Sequence, residues 1–239
     1  MNLEILDSES QLGKYNMDFD FERTMQVSKG LASPLFRVYS WDPWCLSLGH
    51  NQKIDEIDEE AISLRGYDLV RRPTGGRAVF HSEEITYSLV MNLPDGVSIQ
   101  DVYREVHLSF IKAFAKLGAN LDFEKAQSDL ASFYKSSDLS VACFASSARY
   151  ELTYQNRKIV GSAQRLFDRT LLQHGSILIG NAHEILADLV KVKSPERRES
   201  IREYIKSQTA TLNEASGKKL TYNDCRDSIF EEIKTFNLA

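Results

Sequence analysis

The spacing of apolar and polar residues divides the 239-residue chain into alternating predicted helices and strands. The clearest helix follows Ser98, where apolar residues recur at helical spacing as far as Gly118 and Asp101 resembles the partner of Ser98 in a capping box. Further helices are predicted over 16–29 and from Ala182 to the end. Short apolar runs bounded by turn residues predict strands over 36–39, 45–48, 67–70, 86–91, 150–154, 158–162 and 170–179.

This order of elements predicts the fold class. Strands lie in the middle of the chain, helices lie on both sides, and hairpins join several of the strands. Such an order favours an α/β or α+β fold with a largely antiparallel or mixed sheet. The length suits one domain over 1–239, with a helical C-terminal segment over about 182–239.

The composition narrows the possible functions. With 29 Lys and Arg against 34 Asp and Glu the net charge is -5, which argues against a nucleic-acid partner. No stretch is apolar enough for a membrane span, and the acidic start lacks the features of a signal peptide, so we expect a cytoplasmic protein without a membrane partner. The cysteines Cys45, Cys143 and Cys225 form no close pair, which predicts free thiols and no cysteine-based metal site. Cys45 and Cys225 lie in apolar segments and are expected to be packing residues.

The segment 71–81, with the sequence RRPTGGRAVFH, combines cations, two glycines and a histidine between two predicted strands. Glycine lets the backbone approach a ligand closely and present N–H groups to an anion or a carbonyl oxygen. Gly75 and Gly76 therefore predict a ligand cradle. A hairpin turn with solvated arginines is the alternative interpretation.

Two further segments combine polar or charged residues with small residues in a similar way. Segment 158–165 reads KIVGSAQR and segment 173–176 reads QHGS. They follow a serine-rich segment, 128–147, which contains Cys143 in a small apolar cluster and is predicted to be a substrate loop. If the segments converge, Lys158 lowers the pKa of the Cys143 thiol and favours the reactive thiolate. The alternatives are a solvated surface lysine and a buried, inert cysteine.

Together the three segments resemble the signature of the lipoate-protein ligase and octanoyltransferase superfamily, which shares its fold with biotin protein ligases. Weaker similarity at 16–18, 39–41 and 47–52 extends the resemblance over roughly 15–180. The fold that the resemblance implies is a mixed, mostly antiparallel sheet flanked by helices.

Within the superfamily, the chain is most similar to the cysteine-dependent octanoyl-acyl-carrier-protein:protein octanoyltransferases of the Gram-positive type. ATP-dependent ligases usually have an Asn-Asp type segment where this chain has Cys143-Phe144, and many carry an accessory domain that the residues after Gly180 are too few to form. By this resemblance, Cys143 is the acyl nucleophile and Lys158 lowers its pKa. The predicted substrate-binding residues are Arg71, Arg72, Thr74, Gly75, Gly76, His81, Gly161, Ser162, Ala163, His174 and Gly175. The two histidines among them could orient a loop, shuttle a proton or be structural.

The resemblance implies a two-step acyl transfer. The Cys143 thiolate takes the octanoyl group from octanoyl-acyl carrier protein, and a lysine of a lipoyl domain then attacks the acyl-enzyme to form an amide. The implied acceptor is a glycine cleavage H protein or a dehydrogenase E2 subunit. Because the thioester is already activated, no ATP, metal or other cofactor is expected. Backbone N–H groups near Gly75-Gly76 or Gly161-Ser162 are candidate oxyanion donors.

Three other functions stay open. An amidotransferase that moves an octanoyl or lipoyl group between lipoyl domains would use the same thiolate. An ATP-dependent lipoate-protein ligase would also fit, because Arg71, Gly75-Gly76 and Lys158 match positions that bind lipoyl-adenylate in that branch. A non-catalytic protein that binds lipoyl or octanoyl groups fits less well, because binding alone requires neither the cysteine nor the lysine.

Overall fold

The computed structural model describes residues 3–125 and 150–238, in which strands and helices alternate along the chain. The helices are α1 (Gly13–Ser28), α2 (Glu59–Leu64), α3 (Ile99–Lys116), α4 (Pro195–Gln208), α5 (Leu212–Ser216) and α6 (Tyr222–Ile233), with a 3₁₀ helix over Ala182–Asp188. The strands are β1 (Glu4–Gln11), β2 (Leu35–Trp41), β3 (Cys45–Leu48), β4 (Asp68–Arg71), β5 (Val79–His81), β6 (Glu84–Asn92), β7 (Asp122–Lys125), β8 (Tyr150–Tyr154), β9 (Arg157–Lys158), β10 (Val160–Phe167) and β11 (Thr170–Leu178). No helix in these two ranges is long and apolar enough to cross a membrane.

The described strands form three sheets in which antiparallel pairing dominates. The largest sheet has the order β1-β2-β6-β11-β10, where β1 and β2 run parallel and the other neighbours run antiparallel. The order β4-β3-β5 forms a second sheet and β7-β8-β9 forms a third. The predicted mixed, mostly antiparallel arrangement flanked by helices is confirmed.

Local sequence determines α3 and the way it packs. Its N-terminus carries the predicted capping box, in which Ser98 Oγ accepts from the Asp101 backbone N–H and the Asp101 carboxylate accepts from the Ser98 N–H. Its apolar face, which includes Val106 and Phe110, is buried in the same core as the inner residues of the largest sheet and of α6. Gly118, with φ at +93°, follows the helix and permits the turn that ends it.

The first strand is an element that the sequence pattern did not predict. β1 reads EILDSESQ, has six polar residues among its eight, and has no fully buried residue. It pairs in parallel with β2 at the edge of the largest sheet, with Glu4 opposite Leu35. An edge strand is determined by the neighbour that it pairs with, and apolar periodicity gives little sign of it.

Two of the cysteines are buried, as expected for packing residues. Cys45 lies on β3 opposite His81 of β5, and Cys225 lies on the buried face of α6. Burial raises the pKa of both thiols, that of Cys225 to about 12, so neither is a ready nucleophile near neutral pH.

Candidate active site

The three sequence motifs meet at one cavity of about 320 Å³. The loop between β4 and β5, the end of β9 with the start of β10, and the middle of β11 contribute to its lining. Most of the predicted site residues line it: Arg72, Gly75, Gly76, His81, Lys158, Gly161, Ser162, Ala163, His174 and Gly175. A concave site with a few converging polar groups is typical of a small-molecule pocket.

Arg72 holds the loop between β4 and β5 in place. Its guanidinium donates to the carbonyl oxygens of Arg77, at 2.6 Å, and Ser47, at 3.0 Å. Gly76 has φ at +98°, and Gly49 packs so tightly against it that a Cβ on Gly49 would lie 1.9 Å from the Gly76 carbonyl oxygen. The alternative of a turn with solvated arginines is therefore wrong for Arg72, which is buried and shapes the cradle.

His81 ends β5 and is fixed by buried hydrogen bonds at both ring nitrogens. Its Nδ1 lies 2.7 Å from Glu84 Oε1, and its Nε2 lies 2.7 Å from Ser47 Oγ. Ser176 Oγ and Thr86 Oγ1 also donate to Glu84 Oε1, at 2.9 and 2.5 Å. The imidazole therefore has one defined orientation at the cavity wall.

Trp41 forms an aromatic wall of the cavity beside His81. The two rings are stacked, with centroids 4.1 Å apart and an angle of 16° between their planes. Trp41 Nε1 donates to Thr86 Oγ1 at 2.7 Å, so the polar atom of the indole is satisfied within the protein. With Met17 and Val79, the tryptophan gives the cavity an apolar surface.

His174, in the middle of β11, belongs to a second buried network. Its Nε2 lies 2.6 Å from Thr74 Oγ1, and its Nδ1 lies 3.4 Å from Asp20 Oδ2. Asp20 pairs with Arg37 Nη1 at 2.9 Å and accepts from Tyr39 OH at 3.0 Å. Burial acts to raise the pKa of Asp20, but the His174 hydrogen bond and the Arg37 charge outweigh it and lower that pKa. Burial lowers the pKa of His174, so the network holds a charged aspartate beside a neutral histidine near neutral pH.

The start of β10 packs tightly against β11. Gly161 lies opposite Ser176 and Ser162 lies opposite Gly175. A Cβ on Gly175 would lie 2.5 Å from the Gly161 carbonyl oxygen and 2.6 Å from Ser162 Oγ. Ser162 Oγ itself lies 2.7 Å from Tyr87 OH. Gly175 is therefore required by the close approach of the two strands, and the Ser162 hydroxyl is anchored to the core.

Lys158 follows the turn between β8 and β9, where Gln155 and Asn156 have φ at +51° and +62°. Its side chain is 7% exposed and lines the cavity. This burial excludes the alternative of a solvated surface lysine. An ammonium group in a cavity wall is suited to stabilise a nearby anion. Cys143 and the predicted substrate loop over 128–147 lie outside the described residues, so their relation to Lys158 stays a prediction.

Two predicted substrate-binding residues do not belong to the lining. Arg71 lies outside it, and its Nη1 donates to the carbonyl oxygens of Gly49 and Gln52, both at 2.7 Å. Thr74 is buried, and its hydroxyl is bonded to His174. Arg71 therefore holds the neighbouring loop and Thr74 orients His174, whereas direct substrate contact by either residue stays a prediction.

Part of the site was not predicted from the sequence. Glu84 carried a usable signal, because a carboxylate three residues after His81 opens a largely apolar strand. The apolar lining residues Met17, Trp41 and Val79 lie in segments that carry the family resemblance, but the same residue types fill the core, so nothing marked them as lining residues. The lining residues not predicted are Met17, Tyr39, Trp41, Ser47, Val79, Thr86, Gln164 and Ser176.

Comparison with known proteins assigns the family. Residues 13–234 match the lipoyl protein ligase A/B catalytic domain, and the chain belongs to this family. Octanoyltransferase LipM of Symbiobacterium thermophilum is 34% identical over 236 residues, which cover 95% of this chain and 83% of that protein. Octanoyltransferase LipM of Clostridioides difficile is 33% identical over 239 residues, which cover 98% and 87%. Octanoyltransferase LipM of Bacillus subtilis is 31% identical over 236 residues, which cover 96% and 84%.

Solved structures share the fold. A bipartite lipoate protein ligase from Thermoplasma acidophilum aligns with a TM-score of 0.74 at 19% identity, over 99% of this chain and 84% of that one. A lipoate-protein ligase A bound with ATP aligns with a TM-score of 0.73 at 19% identity, over 99% and 85%. The predicted superfamily and fold are confirmed. The family match and the curated relatives also confirm the predicted enzyme class, an acyltransferase that moves octanoyl groups in protein lipoylation.

Proposed function

We propose that the chain transfers an octanoyl group from octanoyl-acyl carrier protein to a lysine of a lipoyl domain, through a thioester on Cys143. The proposed acceptor is a glycine cleavage H protein or a dehydrogenase E2 subunit, and the proposed compartment is the cytoplasm. The observation that carries the proposal is Lys158, a buried ammonium group in the wall of a cavity to which all three motifs contribute. Its charge favours a thiolate at Cys143, and the apolar wall accommodates the octanoyl chain.

The proposed chemistry has two steps. The Cys143 thiolate attacks the donor thioester, and the bond between the acyl carbon and the phosphopantetheine sulfur breaks. The acceptor amine then attacks the octanoyl-Cys143 thioester, and a C–N bond replaces the C–S bond. The thioester supplies the activation, so we propose that neither ATP nor a metal ion takes part. Backbone N–H groups of Gly75-Gly76 or Gly161-Ser162 are the proposed oxyanion donors, each contributing about 3 kcal/mol.

The intact mass of the protein, measured after mixing with octanoyl-acyl carrier protein without ATP, tests this proposal. We expect one hydroxylamine-labile octanoyl adduct in the wild type and none in Cys143→Ala. Cys225→Ala is the matched control and should keep the adduct, because the Cys225 thiol is buried with a raised pKa. Lys158→Ala should form the adduct slowly near neutral pH and recover part of the rate at higher pH, as the thiolate fraction rises.

Two results would assign a different activity. If no adduct forms, but a lipoyl domain is octanoylated once ATP and free octanoate are supplied, the chain is an ATP-dependent ligase. If the adduct forms from an octanoylated lipoyl domain and not from the acyl carrier protein, the chain is an amidotransferase.

A further inference from the structure

Beside the cavity, a serine, a histidine and a glutamate form a chain of buried hydrogen bonds. Ser47 Oγ lies 2.7 Å from His81 Nε2, and His81 Nδ1 lies 2.7 Å from Glu84 Oε1. Ser47 and His81 line the cavity, and each of the three residues is less than a tenth exposed. These are the contacts of a serine–histidine–acid triad, in which the acid orients the imidazole and stabilises its charged form.

The donors and acceptors give this chain a direction. The Glu84 carboxylate accepts, so Nδ1 of a neutral His81 carries the ring proton and Nε2 is the basic nitrogen. Ser47 donates its hydroxyl proton to Nε2, while its oxygen accepts from Arg72 Nη1 at 3.2 Å. Ser47 Oγ can therefore accept a proton from the cavity, because the serine donates its own hydroxyl proton to His81 Nε2 in the same event.

Glu84 has unused capacity to stabilise a charged histidine. Its Oε1 accepts from His81, Ser176 and Thr86, whereas its Oε2 has no hydrogen-bond partner within residues 3–125 and 150–238. Its ion-pair partner in these ranges is His81. Glu84 also lines a second cavity of about 420 Å³. A buried carboxylate whose ion-pair partner is a titratable imidazole favours the imidazolium once a proton arrives.

We propose that Ser47, His81 and Glu84 remove the proton of the acceptor amine in the second half of the reaction, an inference that rests on the proposed function. The neutral amine attacks the octanoyl thioester, the C–N bond forms, the C–S bond breaks, and the Cys143 thiolate leaves. The nitrogen gives one proton to Ser47 Oγ while the serine proton moves to His81 Nε2. The imidazolium is held by the Glu84 carboxylate until it releases the proton to water. Glu84 acts through His81 and is a positioning residue.

The two halves of the reaction differ in their need for this proton transfer. In the first half one thiolate displaces another, so the attacking atom carries no proton that must be removed. In the second half the nitrogen carries one proton too many for an amide. The loss of Glu84 should therefore slow the transfer step and leave formation of octanoyl-Cys143 nearly unchanged.

Other titratable or charged groups surround the hydrogen bonds of Ser47, His81 and Glu84, and they influence how the transfer rate depends on pH. They come from β2, β3, the loop after β4, β9, β11 and the 3₁₀ helix: Tyr39, Cys45, Arg72, Lys158, His174 and His183. Glu83 provides a matched control, since it neighbours Glu84 and its carboxylate accepts from the Ala182 N–H. Glu84→Gln and Glu83→Gln both leave all six groups in place, so a difference between their pH profiles reports on Glu84.

The test measures single-turnover transfer from isolated octanoyl-enzyme to a lipoyl domain, by intact mass, between about pH 5 and 8. In Glu84→Gln we expect transfer to be about 10- to 100-fold slower than in the wild type. The pH profile of transfer in Glu84→Gln should also differ from that in Glu83→Gln, because the negative charge beside His81 has been removed. Glu83→Gln should match the wild type in both half-reactions. Ser47→Ala is the second variant and should likewise slow transfer while still forming the octanoyl adduct.

The possible contrary results are distinguishable. If Glu84→Gln and Ser47→Ala transfer as fast as Glu83→Gln, or lose both half-reactions equally with an unchanged pH profile, the inference is overturned and the acyl-enzyme stands. If an octanoyl adduct persists in Cys143→Ala and disappears when Ser47→Ala is added, Ser47 is itself a nucleophile and the inference is again overturned. If the wild type forms no adduct, the proposed function fails and this inference fails with it.

Discussion

Two buried histidine–carboxylate pairs border the cavity, and they differ in how the carboxylate is compensated. In the pair of His174 with Asp20, the aspartate faces Arg37, which is fully buried and lies 2.9 Å away. The Arg37 guanidinium in turn lies 3.9 Å from the ring centroid of Tyr39. The charge of Asp20 is therefore matched by a fixed cation before any ligand binds.

In the pair of His81 with Glu84, the ion-pair partner of the carboxylate within the described residues is the histidine itself. One carboxylate oxygen accepts several hydrogen bonds, and the other accepts none from the described residues. Burial beside a histidine therefore does not by itself make a reactive pair. The pair with Asp20 stabilises the folded protein, whereas the pair with Glu84 is suited to stabilise a charge that forms during the reaction.

Asp20→Asn should have the largest effect on stability, because it leaves the buried Arg37 charge without its counter-ion. Removing one partner of a buried ion pair costs about 3–5 kcal/mol. The free energy of unfolding, measured by urea denaturation, should fall by this amount. The site would be disturbed as well, since Asp20 also holds His174.

The matched control is Asp18→Asn on the same helix. Asp18 pairs with Lys14 at the surface, where the two side chains are 52% and 82% exposed, so its replacement should change stability little. Equal losses of unfolding free energy in the two variants would contradict the view that the ion pair of Asp20 and Arg37 stabilises the fold.

Gly175→Ala should have the next largest effect, because Gly175 lies between the two networks. Its neighbours on β11 are His174, of the Asp20 network, and Ser176, of the Glu84 network. The added Cβ would lie 2.5 Å from the Gly161 carbonyl oxygen, so β10 and β11 must move apart. We expect a loss of about 1–3 kcal/mol by urea denaturation and slower adduct formation by intact mass.

Gly75→Ala provides the comparison for this second variant. Gly75 also lines the cavity, but a Cβ there would meet nothing within 4 Å among the described residues. Its stability should stay close to that of the wild type. A similar loss at both positions would mean that steric contact between β10 and β11 is not the cause.

Much of the fold could be predicted because its signals are local. The capping box at Ser98 and the apolar periodicity after it fixed α3, and the strand over 45–48 was predicted with its observed bounds. β1 was missed because its pairing with β2, and not its own sequence, makes it a strand. The glycine and histidine motifs likewise predicted His81 and His174 as site residues, and both line the cavity.

The carboxylate behind His174 could not be predicted in the same way. Asp20 and His174 are 154 positions apart in the sequence, and Asp20 lies 17 positions from Arg37. Only the tertiary fold brings such residues into contact. Sequence patterns therefore indicated which histidines belong to the site, whereas the difference between the two pairs depends on partners that packing supplies.

Of Asp20→Asn, Gly175→Ala and Glu84→Gln, the last should have the smallest effect on stability, although it is expected to slow the transfer step. Glutamine keeps an oxygen that can accept from His81, and its amide group takes the place of an oxygen that has no partner in the described residues. A substitution that keeps the hydrogen bond in place should cost about 1 kcal/mol of stability or less. Urea denaturation of this variant beside Asp20→Asn measures the contrast between the two carboxylates directly.

A small loss of unfolding free energy in Glu84→Gln means that the carboxylate contributes little to the stability of the protein before the reaction. A slower transfer step can then be attributed to chemistry and not to unfolding. A loss as large as that of Asp20→Asn would mean that a nearby cation, Arg72 or Lys158, already matches the Glu84 charge before the reaction begins. The two pairs would then be built alike, and His81 would have no unmatched carboxylate to stabilise its charged form.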